Sequence, residues 1–434
     1  MNNMKKLRIP EFIPAGKIAA VSLILLGILL SSCRKKNEDS QDFKPRLATD
    51  TKCEIHIAGN YKNFEALEAE FDRFNEFYPD VELSYTSLDK YNSTIRSAIL
   101  SEDAPDIFMT FPWMLDKSDY QELLSHTENM ADEKKLGFNL STIRSQLISR
   151  MEDGSVIMVP VFCGSFGMLV NEDIFKNHGL EVPETYTSLV EGCRKLKEAG
   201  YKSPIMTFLD SFSGLPMIYS YFCKSLSKVP ESIPLLNSLD PSAGEYLKPT
   251  LEWIRDFMKL GLIDLEECGT LQNKYNEVIM RFFEGNIPII LCDTDIVSGT
   301  LKRESQSLSF INNPFKYSFR MFPTSDEGTD FLNSVAVSFS VNKNSKNIEM
   351  ANEFMRFLIR TEELNNIAKI KRLITTSKNY SFDQIYSALS NSSPIYLHET
   401  GLMDNAIIQM RTAVEQVMLG KMTVDEAAAN YGKF

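Results

Sequence analysis

The chain has 434 residues, 43% apolar, 24% charged and 11% aromatic, with 20 Gly and 18 Pro, which excludes long disorder, collagen-like repeats and coiled coil as the main architecture. A formal net charge of −12 lacks the electrostatic footprint of a nucleic-acid binder, and seven Cys are too few for a disulfide scaffold. So long a chain calls for two or more subdomains, each with its own core.

The first element is a signal. Lys5, Lys6, Arg8 and Lys17 precede an apolar run from Ile18 to Leu30. At 1.5 Å per residue such a helix reaches about 20 Å, short of the ~30 Å hydrocarbon core, so it reads as a secretory signal and not as a spanning helix. The run ends Leu30-Ser31-Ser32-Cys33, which resembles a bacterial lipoprotein lipobox. The resemblance implies cleavage after residue 32 and diacylation of Cys33, which would anchor the protein on the extracytoplasmic face of the cell membrane. Residues 33–51 are polar and cannot bury enough surface to order themselves, so they read as a flexible tether.

Strands and helices then alternate. Cys53–Ala58 reads as a strand, and Phe64, Leu67, Phe71, Phe74 and Tyr78 line one face of a helix stopped by Pro79. Val81, Leu83 and Tyr85 alternate as a strand does; Tyr91, Ile95 and Ile99 mark the next helix, and residues 106–109 the next strand. Short links between them predict right-handed crossovers and an α/β fold with mainly parallel sheets. Further strands are expected at 156–161, 167–170 and 287–291. Further helices are expected after Ser188, in a capping box with Glu191, after Pro249, and at 347–360 and 404–418. Residues 227–248, with three Pro and no period, read as a surface excursion.

Motifs for chemistry are sparse. The four His (56, 126, 178 and 398) lack the i, i+4 spacing of a helical metal pair, and no phosphate-binding glycine loop occurs. Cys163 stands where a nucleophile elbow around Ser165 needs its first Gly. The six Cys after Cys33 never form CxxC and read as small apolar residues. Asp293 and Asp295 are the one tight carboxylate pair after a strand, and acid–base chemistry or a cation remains open for them.

Several segments, in order, resemble bacterial extracellular solute-binding proteins of the maltose-binding type. They are Phe74–Leu83, Ala98–Phe108, Val159–Val161, Leu169–Phe175, Pro183–Tyr186, Phe282–Ile289, Phe322-Pro323, Glu349–Phe354 and Leu419–Ala428. The resemblance implies a two-lobed, type II periplasmic-binding-protein-like fold with a hinge. Lobe one would hold 52–161 plus 323–372, and lobe two 162–321 plus 373–434. It implies a monomeric receptor without enzymatic activity, cofactor or metal that delivers a solute, most simply a mono- or oligosaccharide, to the permease subunits of an ABC importer. Presentation of a ligand to a sensor or adhesin, and hydrolysis by Asp293 and Asp295, are the alternatives.

In an open parallel sheet, ligands lie beyond the carboxyl ends of the strands. Lobe one therefore offers Asn60, Tyr61, Phe111 and Trp113, whose flat rings suit the C–H patches of a sugar. The chain crossings between lobes that the resemblance implies, near Pro160–Gly164, near Arg320–Phe322 and near Arg372–Ser377, together with lobe two offer Phe162, Asp293, Asp295 and Arg320. Where this family often has Gly followed by Trp, the chain reads Cys292-Asp293-Thr294-Asp295, a polar wall that also suits an amine-bearing or smaller solute.

Overall fold

A computed structural model describes residues 43–132, 136–207, 225–226, 228–271 and 275–434. The signal segment 1–32, Cys33, most of the tether and Cys223 lie outside the described residues. Near its end, the stretch read as tether is fastened. The backbone N–H groups of Arg46 and Leu47 donate to Tyr78 Oη at 3.2 Å, and Arg46 N–H also donates to Glu353 at 2.9 Å.

Among the described residues the strands are β1 (Cys53–Gly59), β2 (Val81–Ser87), β3 (Ile107–Thr110), β4 (Val159–Gly164), β5 (Phe166–Asn171), β6 (Ile205–Met206), β7 (Ile289–Asp293), β8 (Tyr317–Arg320), β9 (Asp330–Val341), β10 (Ile374–Thr375) and β11 (Ser393–Tyr396). They form a large sheet, β10-β4-β9-β3-β1-β2 with β11 also on β9, and a small sheet, β6-β7-β5-β8. The fold is α/β as expected, but the sheets are mixed and not mainly parallel. β1 runs parallel to β2 and β3, where helices α1 (Glu65–Asn75) and α2 (Tyr91–Ala98) cross over. β9 enters from the other sheet with no crossover helix and runs antiparallel to β3 and β4; β5 likewise runs antiparallel to β7 and β8.

The chain changes sheets between β4 and β5, at Ser165, and again between β8 and β9. Phe162, Cys163 and Gly164 pair with β9, so the large sheet extends past residue 161. Ile374 and Thr375 pair with β4 and Ser393–Tyr396 with β9, so parts of the segment after 372 also join it.

Helix α3 (Tyr186–Glu198) starts earlier than the Ser188/Glu191 spacing predicts. Thr185 is its N-cap, with Ser188 as the reciprocal partner. Its Leu189, Cys193 and Leu196 are buried as expected. The 228–248 region is not a surface excursion. Ser232–Asn237 and Pro241–Leu247 are helical and bury Leu236, Ala243 and Leu247. Gly244 is required there, because a Cβ would stand 1.9 Å from the carbonyl oxygen of Ala428.

Helix α4 (Lys248–Lys259) carries Phe257, which packs with Trp253 and Phe322. Helix α5 (Thr294–Glu304) follows β7, and α6 (Ile348–Leu358) and α7 (Thr361–Lys371) follow β9. In the large-sheet core, Phe74 of α1 meets Tyr78, Phe354 and Phe357 at centroid distances of 4.9, 5.2 and 5.4 Å. Helix α8 (Asp404–Met418) buries Met410, Val414 and Val417 against its neighbours, which include α9 (Val424–Ala429).

Candidate functional site

β1 ends on Gly59, where a Cβ would lie 2.5 Å from Tyr85 Oη and 2.7 Å from Met109 Sδ, so a larger residue would push these two side chains aside. The Tyr85 hydroxyl accepts from Tyr61 N–H at 3.0 Å and donates to the Tyr61 carbonyl at 2.9 Å, fixing the backbone that follows. The Tyr61 ring rests edge-on against buried Phe64 at 5.0 Å. The Lys371 ammonium, from the last residue of α7, lies over the same ring, 4.3 Å from its centroid. Burial holds the Lys371 pKa below its ordinary value, while Asp295 and Glu65 favour its charge and Lys302 opposes it.

The small sheet supplies the other wall. Asp293, at the end of β7, caps α5 by accepting from Ile296 N–H at 3.0 Å. Thr294 and Ser165 exchange hydrogen bonds, locking α5 to the chain crossing: Thr294 N–H donates to the Ser165 carbonyl at 3.0 Å, and Ser165 N–H donates to Thr294 Oγ1 at 3.2 Å. Asp295 lies in the first turn and is exposed to solvent. The surrounding protein, and then the nearby Asp293 charge, raise its pKa to about 7 against the pull of Lys371.

Beside Asn60, an open cavity of about 440 Å³ is lined by Lys90, Tyr91, Asn92, Ser93, Arg96 and Tyr120. Tyr120 connects it to Trp113, whose ring meets Tyr120 edge-on at 5.1 Å and stacks with Phe111 at 5.8 Å. Lys117 Nζ lies 5.2 Å from the Trp113 centroid and 2.9 Å from Asp404 at the start of α8. Asp404 N–H donates to Asp116 at 3.2 Å.

Of the residues expected from sequence, Tyr61 carries the Lys371 ammonium on its ring, Asp295 acts on that ammonium by charge with Asp293 next to it in sequence, and Asn60 lines the cavity. Trp113 reaches that cavity through Tyr120. Phe111 is buried, and Phe162 is fully buried with its ring 5.9 Å from Phe64, so both pack as core. Arg320 is engaged within the small-sheet half, 3.3 Å from Glu172 and 3.4 Å from Glu184. Cys33 is outside the described residues. The sequence reading missed Lys371, Tyr85 and Tyr120. No motif marks Lys371; it enters from a helix end, not a strand end, more than 300 residues after Tyr61.

Among the described residues no group of three or more His, Cys, Asp or Glu side chains is arranged to hold a metal ion, and no helix is long and apolar enough to cross a membrane. The described cysteines Cys53, Cys163, Cys193, Cys268 and Cys292 are free thiols, and burial pushes the Cys163 pKa up to about 11.

Two sheets between which the chain crosses twice, flanked by helices, give a type II periplasmic-binding-protein-like fold. The solved structure of the solute-binding protein RafE in complex with raffinose is similar, with a TM-score of 0.68 at 16% identity over 88% of this chain and 99% of that one. The apo-form of RafE from Streptococcus pneumoniae gives 0.67 at 15% identity, over 88% and 98%. In sequence, the profile of the bacterial extracellular solute-binding protein family matches residues 58–253. The multiple sugar-binding protein of Streptococcus mutans is 23% identical over 186 residues, 42% of this chain and 41% of that protein, so the alignment spans about two fifths of that relative. Residues 58–253 thus match the bacterial extracellular solute-binding protein family, and the fold is that of solved solute-binding proteins.

Proposed function

We propose that this protein captures a mono- or oligosaccharide between the edges of its two sheets and delivers it to the permease subunits of an ABC importer. The observation that carries the reading is the Tyr61 ring, held by Tyr85 at the end of one sheet and covered by the Lys371 ammonium, on which the Asp295 carboxylate beyond the other sheet acts by charge. A ring face covers the C–H patches of a sugar, while carboxylates and Asn60 give direction through its hydroxyls. The relatives support the same class: RafE is solved in complex with raffinose, and the Streptococcus mutans relative is a multiple sugar-binding protein.

In this reading the lobes are built on the large and small sheets, with hinges near Ser165, near 321–329 and near Arg372. Closure is driven by contacts that the solute makes only in the closed state. A lipid on Cys33 holds the monomer at the outer face of the membrane. Asn60, Tyr61, Trp113, Asp293 and Asp295 are the residues proposed to face the solute.

A thermal-shift screen against mono- and oligosaccharides including raffinose, amino acids and polyamines tests the class, because binding stabilises by mass action. Stabilisation by saccharides alone is expected; stabilisation by amino acids or polyamines alone overturns the sugar reading. With the stabilising sugar, Trp113 emission is expected to change and Trp113→Ala to weaken binding by at least ~1 kcal/mol. Unchanged affinity in that variant removes Trp113 from the site.

A further inference from the structure

Lys371 stands between two partners of different chemistry. Its contact is with the ring of Tyr61, 4.3 Å from the centroid, while Asp295 and Glu65 act on it through their charge. An ammonium on an aromatic face occupies the surface on which a sugar ring would lie, so cation and sugar compete for one face. The backbone beside Lys371 is anchored. The Arg372 guanidinium donates to Thr300 Oγ1 at 2.8 Å, and to Glu304 and Tyr317 Oη at 3.2 Å each. Thr300 and Glu304 lie on α5, the helix that carries Asp295, so the end of α7 and Asp295 share one support. Only the flexible four-carbon stem of Lys371 is left to move.

We propose that Lys371 is a displaceable cover on Tyr61: an arriving sugar ring takes the aromatic face and sends the ammonium to Asp295. This rests on the saccharide reading and adds to it a specificity-determining residue. Displacement makes a contact toward the small-sheet edge that forms only when the large-sheet edge is occupied. Solute binding and lobe closure are thereby coupled through a difference in contacts between two states. A neutral ring suits this device better than a cationic solute, which would meet Lys371 as a like charge.

Calorimetric titration with raffinose, and with the saccharide that stabilises the parent most, tests the device. Removing the cover by Lys371→Ala is expected to tighten binding about threefold, the net of about ninefold recovered from the broken, partly buried cation–π contact and about threefold lost with the Asp295 pairing. Lys371→Met keeps the stem, removes the charge and is expected to move affinity the same way, which guards against a folding defect in the alanine variant. Asp295→Asn is expected to weaken binding about threefold in the parent and to have little further effect beside Lys371→Ala, since the displaced ammonium no longer needs a partner. Equal or weaker binding by both Lys371 variants overturns the proposal. So does an Asp295→Asn effect of the same size in both backgrounds, which would make Asp295 a direct solute ligand only. If the parent binds no saccharide, the sugar reading itself fails and takes this proposal with it.

Discussion

The two sheets handle charge in opposite ways. Glu70, Asp106, Arg144, Glu353 and Glu363, the buried charged side chains among the described residues, all belong to elements packed on the large sheet. Glu353 accepts from Tyr78 Oη at 2.6 Å and from the Arg356 guanidinium, while Glu363 pairs with Arg73 at 2.9 Å and Arg360 at 3.3 Å. Among the described residues the small-sheet half has no fully buried charge: its pairs are exposed, as Lys202–Glu266 and Arg255–Asp256, or partly buried, as Arg320–Glu172. Buried, hydrogen-bonded ion pairs are costly to break but do not slide, whereas exposed ones contribute little. The large sheet is therefore the stiff platform that presents Tyr61. The small sheet is the polar wall that meets the solute.

The largest expected effect tests the platform. Phe64 is fully buried and touches Tyr61, Tyr85, Phe162 and Phe339. Phe64→Ala should lower unfolding free energy by about 3–5 kcal/mol in urea titration, through lost burial and the cavity left behind. A loss under ~1 kcal/mol would mean that the aromatic seat of Tyr61 repacks freely, and the contrast between a stiff sheet and a polar wall would fall.

A second effect sharpens the contrast through pH. Burial raises the Glu70 pKa to about 7; Asn366 donates to it and opposes the rise, Glu363 adds to it, and Arg73 opposes. Between its unfolded value near 4.5 and about 7, the folded state holds a proton that the unfolded state has released, so this residue's contribution to stability falls as pH rises through that window. Glu353 has the opposite sign: its net shift is downward because bonds from Arg356 and Tyr78 outweigh burial, so its contribution is lost toward acid. The difference between parent and Glu70→Gln isolates the first. From pH 5 to pH 8 the parent should lose on the order of 1–3 kcal/mol relative to the variant. Parallel curves for the two proteins would mean that Glu70 stays ionised throughout.

These residues also mark where the sequence was readable. Leu67 and Phe74 of α1, Ile254 and Phe257 of α4, and Met410 and Val414 of α8 repeat at helical spacing and are buried, since periodicity records which face meets the core. Strand pairing left no such record: β9, which the sequence reading does not single out as a strand, pairs antiparallel with β3 across more than 200 residues, and nothing local signals that partner. The same limit hid Lys371. Strand ends pointed to Asn60, Tyr61 and Asp295, but what stands over Tyr61 depends on where α7 ends in space. For Phe162 and Arg320, proximity to a crossing was legible, but the packing against Phe64 and the ion pair with Glu172 were not.

The smallest effect lies wholly in the small-sheet half and separates two readings of one helix start. By spacing alone, Ser188 and Glu191 form a capping box. In the structure the N-cap is Thr185: its hydroxyl accepts from Ser188 N–H at 3.2 Å, and Ser188 Oγ accepts from Thr185 N–H at 3.0 Å. A Ser in place of the usual Glu or Gln at the third position hid the box, yet its hydroxyl reaches the same N–H. Thr185→Ala leaves first-turn donors of α3 without that acceptor and should cost about 1 kcal/mol, while Glu191→Ala should change stability by less than ~0.5 kcal/mol. The cost should appear in unfolding alone and leave saccharide affinity unchanged, because α3 is remote in sequence from Tyr61, Asp295 and Lys371 and supplies none of the groups gathered there. A matching loss of affinity would mean that the small sheet transmits strain to its charged edge, and that the polar wall depends on its helices as closely as Tyr61 depends on Phe64.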